Sequence, residues 1–290
     1  MNPTMQKTLV FPRLEKDKVN RTGEYHLDAS GKGVNVARVL TQLGKSCYHL
    51  TQLGGFFRPL FLDLCREDGL SVEWVESYSP IRFCYTVLDQ HEKTVTELVE
   101  ESEKVEEKTG DRLLEKYKEL ITGSSTLIIS GTKAEGFNDN LIPEMVRMAK
   151  EKNLLVILDI RGNDLINCLP YRPDIIKPNL NEFLSTFAPE IHQKNIKNAV
   201  QEIWAGLYEK YHCSLILTNG SEPLLYAERD ELSEYSPCPA DQINSTGSGD
   251  AFTAGLAAAL EEGASFIEAI AQSAKCGALN AAHLRPGVIK

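Results

Sequence analysis

Short, uninterrupted apolar segments alternate with amphipathic segments over residues 127–217, and this alternation limits the fold more than any other feature. The apolar segments 127–129, 154–158, 175–176 and 215–217 are predicted strands, and 141–152 and 195–211 are predicted helices. Strands that are apolar on both sides need cover on both sides, which helices provide in a parallel sheet. The sequence therefore predicts an α/β fold, a doubly wound and mostly parallel sheet flanked by helices.

The first hundred residues follow a different pattern. β-like segments at 8–11, 22–27, 83–88 and 94–99 are not separated by regularly alternating helices. They are the best candidates for a small sheet set apart from the main layer. No repeat, low-complexity tract or linker divides the chain. We therefore expect one domain over residues 1–290, with a discontinuous small sheet from about 7–28 and 82–100.

Composition excludes several classes of function. The 31 Lys and Arg residues against 41 Asp and Glu residues give a net charge of −10, whereas a general nucleic-acid binder needs a basic surface. No apolar stretch approaches the roughly 20 residues of a membrane span, and the N-terminus has no signal-peptide core. The seven cysteines are scattered without a CxxC pair, which indicates reduced thiols. We expect a cytoplasmic protein without nucleic-acid or membrane partners.

Two glycine-rich turns, residues 31–33 and 247–249, stand directly before predicted helices. A helix N-terminus offers free N–H groups and the positive end of the helix dipole to an anion. Neither turn is a Walker A loop or a dinucleotide-binding fingerprint. Asp250 follows the second turn, and two interpretations are open. It is either an ordinary acid of a first helical turn, which spacing alone favours, or a general base beside an anion hole.

Three motifs resemble those of the ribokinase-like (PfkB) carbohydrate kinases. Residues 244–252 resemble the C-terminal signature, residues 31–38 the N-terminal signature, and residues 177–182 the nucleotide and magnesium motif. Their order, and their spread over nearly the whole chain, argue against chance, so the interpretation of Asp250 as a catalytic base becomes the favoured one. The resemblance implies a ribokinase-like fold with the small sheet as a β lid over the sugar. It also implies transfer of the γ-phosphate of ATP to a sugar hydroxyl with Mg²⁺.

The resemblance is closest to the branch that phosphorylates sugar phosphates, the 1-phosphofructokinase and tagatose-6-phosphate kinase group. Residues 19–21, Arg82 and residues 96–97 belong to its pattern. It implies a ketohexose phosphate as substrate, first of all fructose 1-phosphate, which would become fructose 1,6-bisphosphate. Tagatose 6-phosphate or fructose 6-phosphate, an unphosphorylated sugar or nucleoside, and a non-catalytic sugar-phosphate sensor stay open. So does a homodimer.

The resemblance implies a role for each candidate residue. The catalytic group comprises Asp250 and the anion-hole residues Gly247, Ser248 and Gly249. The sugar phosphate would contact three cations that suit a dianion, Lys32, Arg21 and Arg82, and also Gly31, Gly33, Asn35, Ser130 and Gln6. The residues implied for ATP are Asn179, Glu182, Thr218, Gly220 and, at the adenine, Asn280. Glu182 would hold Mg²⁺ through water.

The sequence departs from the family pattern at its beginning. Family members usually open with a strand that leads into an Asn-Pro-x-x-Asp turn, whose Asp holds sugar hydroxyls. Here Asn2 and Pro3 stand at the start, and Gln6 takes the Asp position. We expect the first core strand to be missing, with a gap or an exposed sheet edge, and the true start to lie upstream. Gln6, and Ser30 in place of a signature glycine, bear on sugar choice but not on Asp250.

Overall fold

Helices pack on both faces of a six-stranded sheet in the computed structural model, which describes residues 1–190, 196–239 and 241–290. The strands are β1 (Thr4–Phe11), β2 (Tyr25–Ser30), β3 (Tyr48–Leu53), β4 (Ser71–Glu76), β5 (Arg82–Asp89), β6 (Thr94–Val99), β7 (Thr126–Ser130), β8 (Leu155–Asp159), β9 (Ile175–Ile176), β10 (Ser214–Leu217), β11 (Leu224–Ala227) and β12 (Ser233–Tyr235). The α-helices are α1 (Lys32–Gln42), α2 (Arg58–Glu67), α3 (Thr109–Leu120), α4 (Leu141–Glu151), α5 (Gly162–Cys168), α6 (Leu180–Phe187), α7 (Ile196–Tyr211), α8 (Ser248–Glu261) and α9 (Phe266–Ala281).

The six-stranded sheet has the order β12-β11-β10-β9-β8-β7, and β7 to β10 run parallel. Successive residues of β8 point to opposite faces: Val156 and Leu158 pack in one buried cluster with α3, α4 and α7, and Ile157 packs in another with α1, α8 and α9. This two-sided burial is the reason for the uninterrupted apolar runs. The predicted α/β class is confirmed. The N-terminal end predicted for α7, Asn195, lies outside the described residues.

A second, four-stranded sheet has the order β2-β1-β5-β6 and is built from the four β-like segments of the first hundred residues. Its first two strands differ from the predicted bounds, because β1 begins at Thr4 and β2 continues to Ser30. Thr4 pairs with both Ser30 and Arg82, so the strands extend towards the turn before α1. This pairing brings residues of β1, β2 and β5 to the N-terminus of that helix.

Four strands were not predicted, β3, β4, β11 and β12. Of these, β3 and β4 form a separate parallel pair. Polar residues such as His49, Thr51 and Gln52 interrupt the apolar character of β3, so the sequence shows no strand-like run there. A cavity of about 440 Å³ lies between β3 and β7, at the place of the expected gap. Within the described part of the chain, no helix has both the length and the apolar character that crossing a bilayer requires.

Candidate active site

A cleft lies where the carboxyl ends of the parallel strands meet the N-termini of α1 and α8 and one end of the four-stranded sheet. Open α/β sheets bind ligands at this edge. The cleft has a volume of about 540 Å³, and an adjoining cavity has about 230 Å³. The predicted site residues that line the cleft are Gln6, Gly31, Lys32, Asn35, Arg82, Asn179, Glu182, Thr218, Gly247, Gly249 and Asp250. Gly33 and Ser130 line the adjoining cavity.

The turn before α8 has the form of an anion-binding helix N-terminus. Gly247 is the N-cap residue with φ of 85°, and no side chain caps the helix. A Cβ on Gly247 would lie 3.1 Å from Gly287 N and from Pro286 Cβ, so this position requires glycine in both conformation and space. A Cβ on Gly249 would meet nothing within 4 Å, so the backbone there is open to the cleft.

One residue of the predicted anion hole is used differently. The Ser248 N–H donates to the Ser245 carbonyl at 3.1 Å inside the turn, and the prediction that it binds the phosphoryl group is corrected accordingly. The N–H groups of Gly247, Gly249 and Asp250 have no backbone acceptor among the described residues. These three groups are therefore the donors that the turn offers to an anion.

Asp250 is buried in the first turn of α8 and borders the cleft. Burial raises the pKa of its carboxyl to about 7, and the neighbouring Asp159 adds to the rise. Lys32, Lys177 and a hydrogen bond from Asn35 act in the opposite direction. A carboxyl group that titrates near neutral pH accepts a proton efficiently at that pH.

Asn35 holds the base instead of standing free for a sugar. Its Nδ2 donates to Asp250 Oδ2 at 2.8 Å, and its Oδ1 accepts from Ser30 Oγ at 3.2 Å and from Arg38 at 3.1 Å. The hydroxyl of Ser30 is buried and committed to Asn35. One N–H of the Asn35 amide is left for a ligand. Asn35, itself held by Ser30, thus fixes the position of the Asp250 carboxylate.

Asp159, at the end of β8, contacts four side chains of the site, and the sequence analysis did not single it out. Its fully buried carboxylate accepts from Ser130 at 3.1 Å and from Thr253 at 3.2 Å. Lys32 and Lys177 each place Nζ 3.4 Å from one of its oxygens. Burial alone would raise the pKa of Asp159, but the Lys177 and Lys32 ammonium groups hold it below its ordinary value. The carboxylate stays ionised and orients both lysines.

Lys32 stands between three carboxylates. Its Nζ lies 3.4 Å from Asp159 and 3.6 Å from Glu182 Oε1. Burial alone would lower the pKa of Lys32, but the charges of Asp159, Asp250 and Glu182 together raise it above its ordinary value. The lysine therefore stays protonated, and it lines both the cleft and the adjoining cavity.

The adjoining cavity collects positive groups around the N-terminus of α1. Lys32 and Arg82 line it, and Arg161 borders it as well, a residue that the sequence analysis did not single out. The Nε of Arg82 is buried and without a hydrogen-bond partner among the described residues. Arg21 lies on the exposed loop between β1 and β2 and lines neither cavity. The predicted trio of cations is thus corrected to Lys32 and Arg82 here, with Arg161 at the rim.

Asn179 and Glu182 form the capping box of α6. The side chain of Asn179 accepts from the Glu182 N–H at 2.8 Å, and Glu182 Oε2 accepts from the Asn179 N–H at 2.9 Å. The second oxygen of Glu182 faces the cleft beside Lys32. Among the described residues, no group of three or more His, Cys, Asp or Glu side chains could hold a metal ion. The predicted role of Glu182, holding Mg²⁺ through water, stays a prediction, and its one cleft-facing oxygen is compatible with it.

The remaining predicted residues divide between the cleft and its supports. Thr218 lines the cleft, whereas Gly220 lies exposed in the turn after β10. Asn280 is fully buried beneath the turn before α8, where its Nδ2 donates to the Thr246 carbonyl at 2.9 Å and its Oδ1 accepts from the Gly287 N–H at 2.7 Å. The prediction that Asn280 contacts the adenine is corrected, because its side chain lines neither cavity. It supports the turn before α8 instead.

Gln6 lines the cleft from β1 and is tied to the neighbouring strand. It is buried, and its Nε2 donates to Thr86 Oγ1 at 2.6 Å. On the other side of the cleft, the Oγ1 of Thr246, directly before Gly247, donates to Glu97 Oε1 of β6 at 3.2 Å. This bond joins the four-stranded sheet to the segment that leads into α8.

The sequence profile of the pfkB family carbohydrate kinases matches residues 5–287. The chain belongs to this family. A curated relative, the tagatose-6-phosphate kinase of Staphylococcus epidermidis, is 26% identical over 294 aligned positions, which cover 100% of this chain and 93% of the relative.

Solved structures of similar fold include the phosphofructokinase-2 of Escherichia coli in complex with potassium, with a TM-score of 0.86 and 20% identity. The alignment covers 98% of this chain and 91% of that one. A possible 1-phosphofructokinase of Thermotoga maritima has a TM-score of 0.87 at 20% identity, with 98% and 91% covered. The ribokinase of Thermotoga maritima has a TM-score of 0.73 at 18% identity, with 99% and 92% covered. These similarities confirm the ribokinase-like fold.

Kinases of the pfkB family use ATP with Mg²⁺. The residues present here fit both groups. The uncapped N-terminus of α8 offers free N–H donors to a phosphoryl group, and the cleft-facing oxygen of Glu182 suits a hydrated Mg²⁺. Asp159 keeps Lys32 and Lys177 in place beside them.

Proposed function

We propose that this protein transfers the γ-phosphate of ATP to a hydroxyl of a ketohexose phosphate. The observation that carries the proposal is the juxtaposition of two anion-binding places. The N-terminus of α8 and Asp250 border the cleft, and the N-terminus of α1, with Lys32 and Arg82, borders the adjoining cavity. The site at the N-terminus of α8 suits the phosphoryl group in transfer. The site at the N-terminus of α1 suits a phosphate that the sugar already carries.

Arg82 gives the second place its charge and its geometry. One of its terminal nitrogens donates to the Glu100 carbonyl at 2.8 Å, which anchors the guanidinium, while the buried Nε has no partner among the described residues. A buried donor without an acceptor is costly, and a phosphate oxygen would satisfy it. A kinase of unphosphorylated sugars has no use for this group.

In the proposed mechanism, Asp250 accepts the proton of the attacking hydroxyl as its oxygen approaches the γ-phosphorus. Asn35 holds the carboxylate in place through its 2.8 Å hydrogen bond. The N–H groups of Gly247 and Gly249 donate to the oxygens on which negative charge develops, and the protonated Lys32 balances that charge. Mg·ATP supplies the activated phosphoryl group and a good leaving group.

Fructose 1-phosphate is the first substrate candidate, with fructose 1,6-bisphosphate as the product. Tagatose 6-phosphate is the second, because the tagatose-6-phosphate kinase of Staphylococcus epidermidis aligns with the whole chain. In each substrate a phosphate and a reactive hydroxyl lie at opposite ends of a six-carbon sugar. Two anion places on one continuous surface accommodate either arrangement.

The experiment is an assay of ADP release with Mg·ATP and a panel of acceptors: fructose 1-phosphate, fructose 6-phosphate, tagatose 6-phosphate, fructose, ribose and adenosine. We expect turnover on a phosphorylated ketohexose, with the bisphosphate product identified by mass. The kcat/KM on that substrate should exceed the kcat/KM on the unphosphorylated acceptors by at least about a hundredfold.

Turnover on unphosphorylated acceptors alone would contradict the sugar-phosphate site at Lys32 and Arg82 but leave Asp250 as the base. Binding of a sugar phosphate by folded protein without any turnover would contradict the kinase and favour a sensor. A cytoplasmic location and a homodimer stay predictions, which cell fractionation and analytical ultracentrifugation test.

A further inference from the structure

The side-chain amide of Asn35 has two ends of nearly the same shape, an oxygen that accepts hydrogen bonds and an NH2 group that donates them. Its Nδ2 donates to Asp250 Oδ2 at 2.8 Å, and its Oδ1 accepts from Ser30 Oγ at 3.2 Å and from Arg38 Nη1 at 3.1 Å. The reverse orientation would turn the oxygen towards Asp250 and the NH2 group towards Ser30 and Arg38. The neighbours of Oδ1 therefore determine which end of the amide Asp250 meets.

Of these two neighbours, only Arg38 excludes the reverse orientation. The hydroxyl of Ser30 rotates, and it can accept a hydrogen bond as well as donate one. A guanidinium group carries five N–H donors and no acceptor, and it is not deprotonated in proteins. An Asn35 NH2 group turned towards Arg38 would meet only another donor. Arg38 thus admits one orientation of the amide, the one that donates to Asp250.

Arg38 is itself held in one position. It is 2% exposed, and it lines neither the cleft nor the adjoining cavity. Its Nε donates to Asp68 Oδ2 at 2.8 Å, Nη1 also donates to the Pro286 carbonyl at 3.0 Å, and Nη2 donates to the Ala29 carbonyl at 2.6 Å. These acceptors follow α2, lie near the C-terminus and lie in β2, so three separate segments fix the guanidinium. It acts on the cleft only through Asn35.

The C-terminal segment also closes over this pair of side chains. Gly287 has φ of 74°, and a Cβ there would lie 3.1 Å from Arg38 Nη1 and 3.1 Å from Asn35 Cα. The Gly287 N–H donates to Asn280 Oδ1 at 2.7 Å, which joins this segment to the support of the turn before α8. The close packing leaves Arg38 and Asn35 little room to rearrange.

We propose that Arg38 is a positioning residue for the base of the reaction, which it orients through the amide of Asn35. The ionised Asp250 carboxylate gains a hydrogen bond from Asn35. The neutral carboxyl finds no acceptor there, because Arg38 keeps the amide oxygen on the other side. Both effects favour the ionised form, which is the form that accepts a proton. The proposal rests on the proposed function for the role of Asp250 as base, whereas the orientation of the amide does not depend on that function.

Charged groups on several elements surround these contacts, and the test separates them from Arg38. Asp250 faces Lys32 of α1, Asp159 of β8 and Lys177, which follows β9. The charged or titratable groups near Arg38 are Asp68, Arg285, His49 and Cys65. Loss of a positive charge therefore has to be distinguished from loss of the contact with Asn35.

The test begins with Arg38→Met, which removes both the donors and the charge, while Asp68 keeps its 2.7 Å bond from Arg285. The Asn35 amide is then free to turn its oxygen to the neutral Asp250 carboxyl. We expect the pKa of Asp250 to rise by about one pH unit as a result.

Calorimetry measures this pKa without any need for turnover. The unfolding temperature of the Asp250→Asn form relative to its parent increases with pH up to the pKa of the folded carboxyl and then levels off. With Arg38→Met in both forms, the levelling should come about one pH unit higher, and the acid limb of kcat/KM should move equally. Absence of turnover on every acceptor would contradict the proposed function, and the calorimetric result would still decide the role of Arg38.

Two variants control for charge. Arg285→Gln also removes a positive charge beside Asp68, but the hydrogen bonds of Arg285 go to Asp28 and Asp68 rather than to Asn35. Arg38→Lys keeps a charged group that only donates. We expect the pKa of Asp250 in both variants to stay within about 0.3 of the parent. Equal rises in Arg285→Gln and Arg38→Met would overturn the proposal, since they would show an effect of charge alone.

Asn35→Ala tests whether Arg38 acts through the amide. In the Asn35→Ala background, Arg38→Met should raise the pKa of Asp250 no further, because the group that transmits its effect is gone. A full additional rise in that background would overturn the proposal, and so would an unchanged pKa in Arg38→Met alone. If Arg38→Met does not fold, Arg38→Gln replaces it with the same expected rise and the same contrary results, because its amide can accept from Asn35.

Discussion

The amide of Asn35 in α1 donates a 2.8 Å hydrogen bond to the carboxylate of Asp250 in α8, across 215 positions of the sequence. This bond ties together the N-terminal turns of two helices, each of which follows a glycine with positive φ, Gly31 and Gly247. Asp250, the base of the proposed reaction, is thus held by α1, whose N-terminus borders the proposed site for the sugar phosphate. In the proposed reaction, substrate binding and proton transfer therefore both depend on α1.

The first prediction concerns Arg82, which we expect to bind the phosphate carried by the sugar. Arg82→Met should raise KM for the preferred sugar phosphate about 10- to 100-fold, because one charge-assisted interaction is lost, and leave kcat within about threefold. Steady-state kinetics with saturating Mg·ATP measure the effect. Arg21→Met is the matched control on the exposed loop, with an expected change in KM below about twofold. A larger effect at Arg21 than at Arg82 would refute this assignment.

The second prediction concerns pH. Because burial raises the pKa of Asp250 to about 7, the base is protonated in acid and ionised in alkali. We expect kcat/KM to fall about tenfold for each pH unit below 7 and to level off above it. Lys32 does not limit the alkaline side near neutral pH, since the surrounding carboxylates raise its pKa. A profile that stays flat between pH 5 and pH 8 would be incompatible with Asp250 as the base.

The third prediction concerns stability. The pKa of Asp250 is raised above its value of 3.8 in an unfolded chain, so the folded state favours the neutral carboxyl. Stability is lost as the pH rises from about 4 to about 7 and then stays constant. An amide at this position does not titrate, and its oxygen still accepts from Asn35. The unfolding temperature of Asp250→Asn relative to the parent should therefore increase over this range and then level off.

Calorimetry at several pH values measures this difference. Asp111→Asn is the matched control, because Asp111 also lies in the first turn of a helix but is exposed. Its unfolding temperature relative to the parent should show no such increase. A difference for Asp250→Asn that is independent of pH would show that this carboxyl does not pay a burial penalty in the folded protein.

The fourth prediction concerns Mg²⁺. Glu182→Gln keeps an acceptor for the Asn179 N–H, and so keeps the capping box, but removes the negative charge. We expect the Mg²⁺ concentration for half-maximal activity to rise about tenfold, in line with the loss of an outer-shell carboxylate. Glu268→Gln is the matched control, because Glu268 forms the same kind of capping box with Ser265 away from the cleft. Equal Mg²⁺ requirements in the two variants would contradict the role of Glu182.

The glycine turn before α8 was predicted from a local motif, because a run of glycines directly before a helical pattern is enough to indicate its geometry. Residues 177–182 were also singled out from a local motif, although the capping box of Asn179 and Glu182 was not predicted. Local sequence also predicted the short apolar strands β7 to β10, since burial on both faces leaves an uninterrupted run. It did not predict β3 and β4, whose polar residues obscure the strand, or β11 and β12.

The residues that were missed come together only through the fold. Asp159 ends β8 and Lys177 follows β9, and the parallel pairing of these strands places their charged groups 3.4 Å apart. One signal was available in the sequence: both residues directly follow a short apolar run. In a parallel sheet such runs end at the edge where ligands bind. No local pattern shows that the Ser248 N–H donates to a carbonyl within its own turn. Nor does one show that the Asn280 amide donates to the Thr246 carbonyl and so supports that turn.

Turnover of Asp250→Asn on the preferred acceptor tests the central claim most directly. With the fold verified by circular dichroism and Asp111→Asn measured in parallel, we expect kcat to fall about 10²- to 10⁴-fold in the Asp250 variant and to stay within about twofold in the control. Binding of Mg·ATP and of the sugar phosphate should be retained. A kcat of Asp250→Asn within about threefold of the parent would contradict the account.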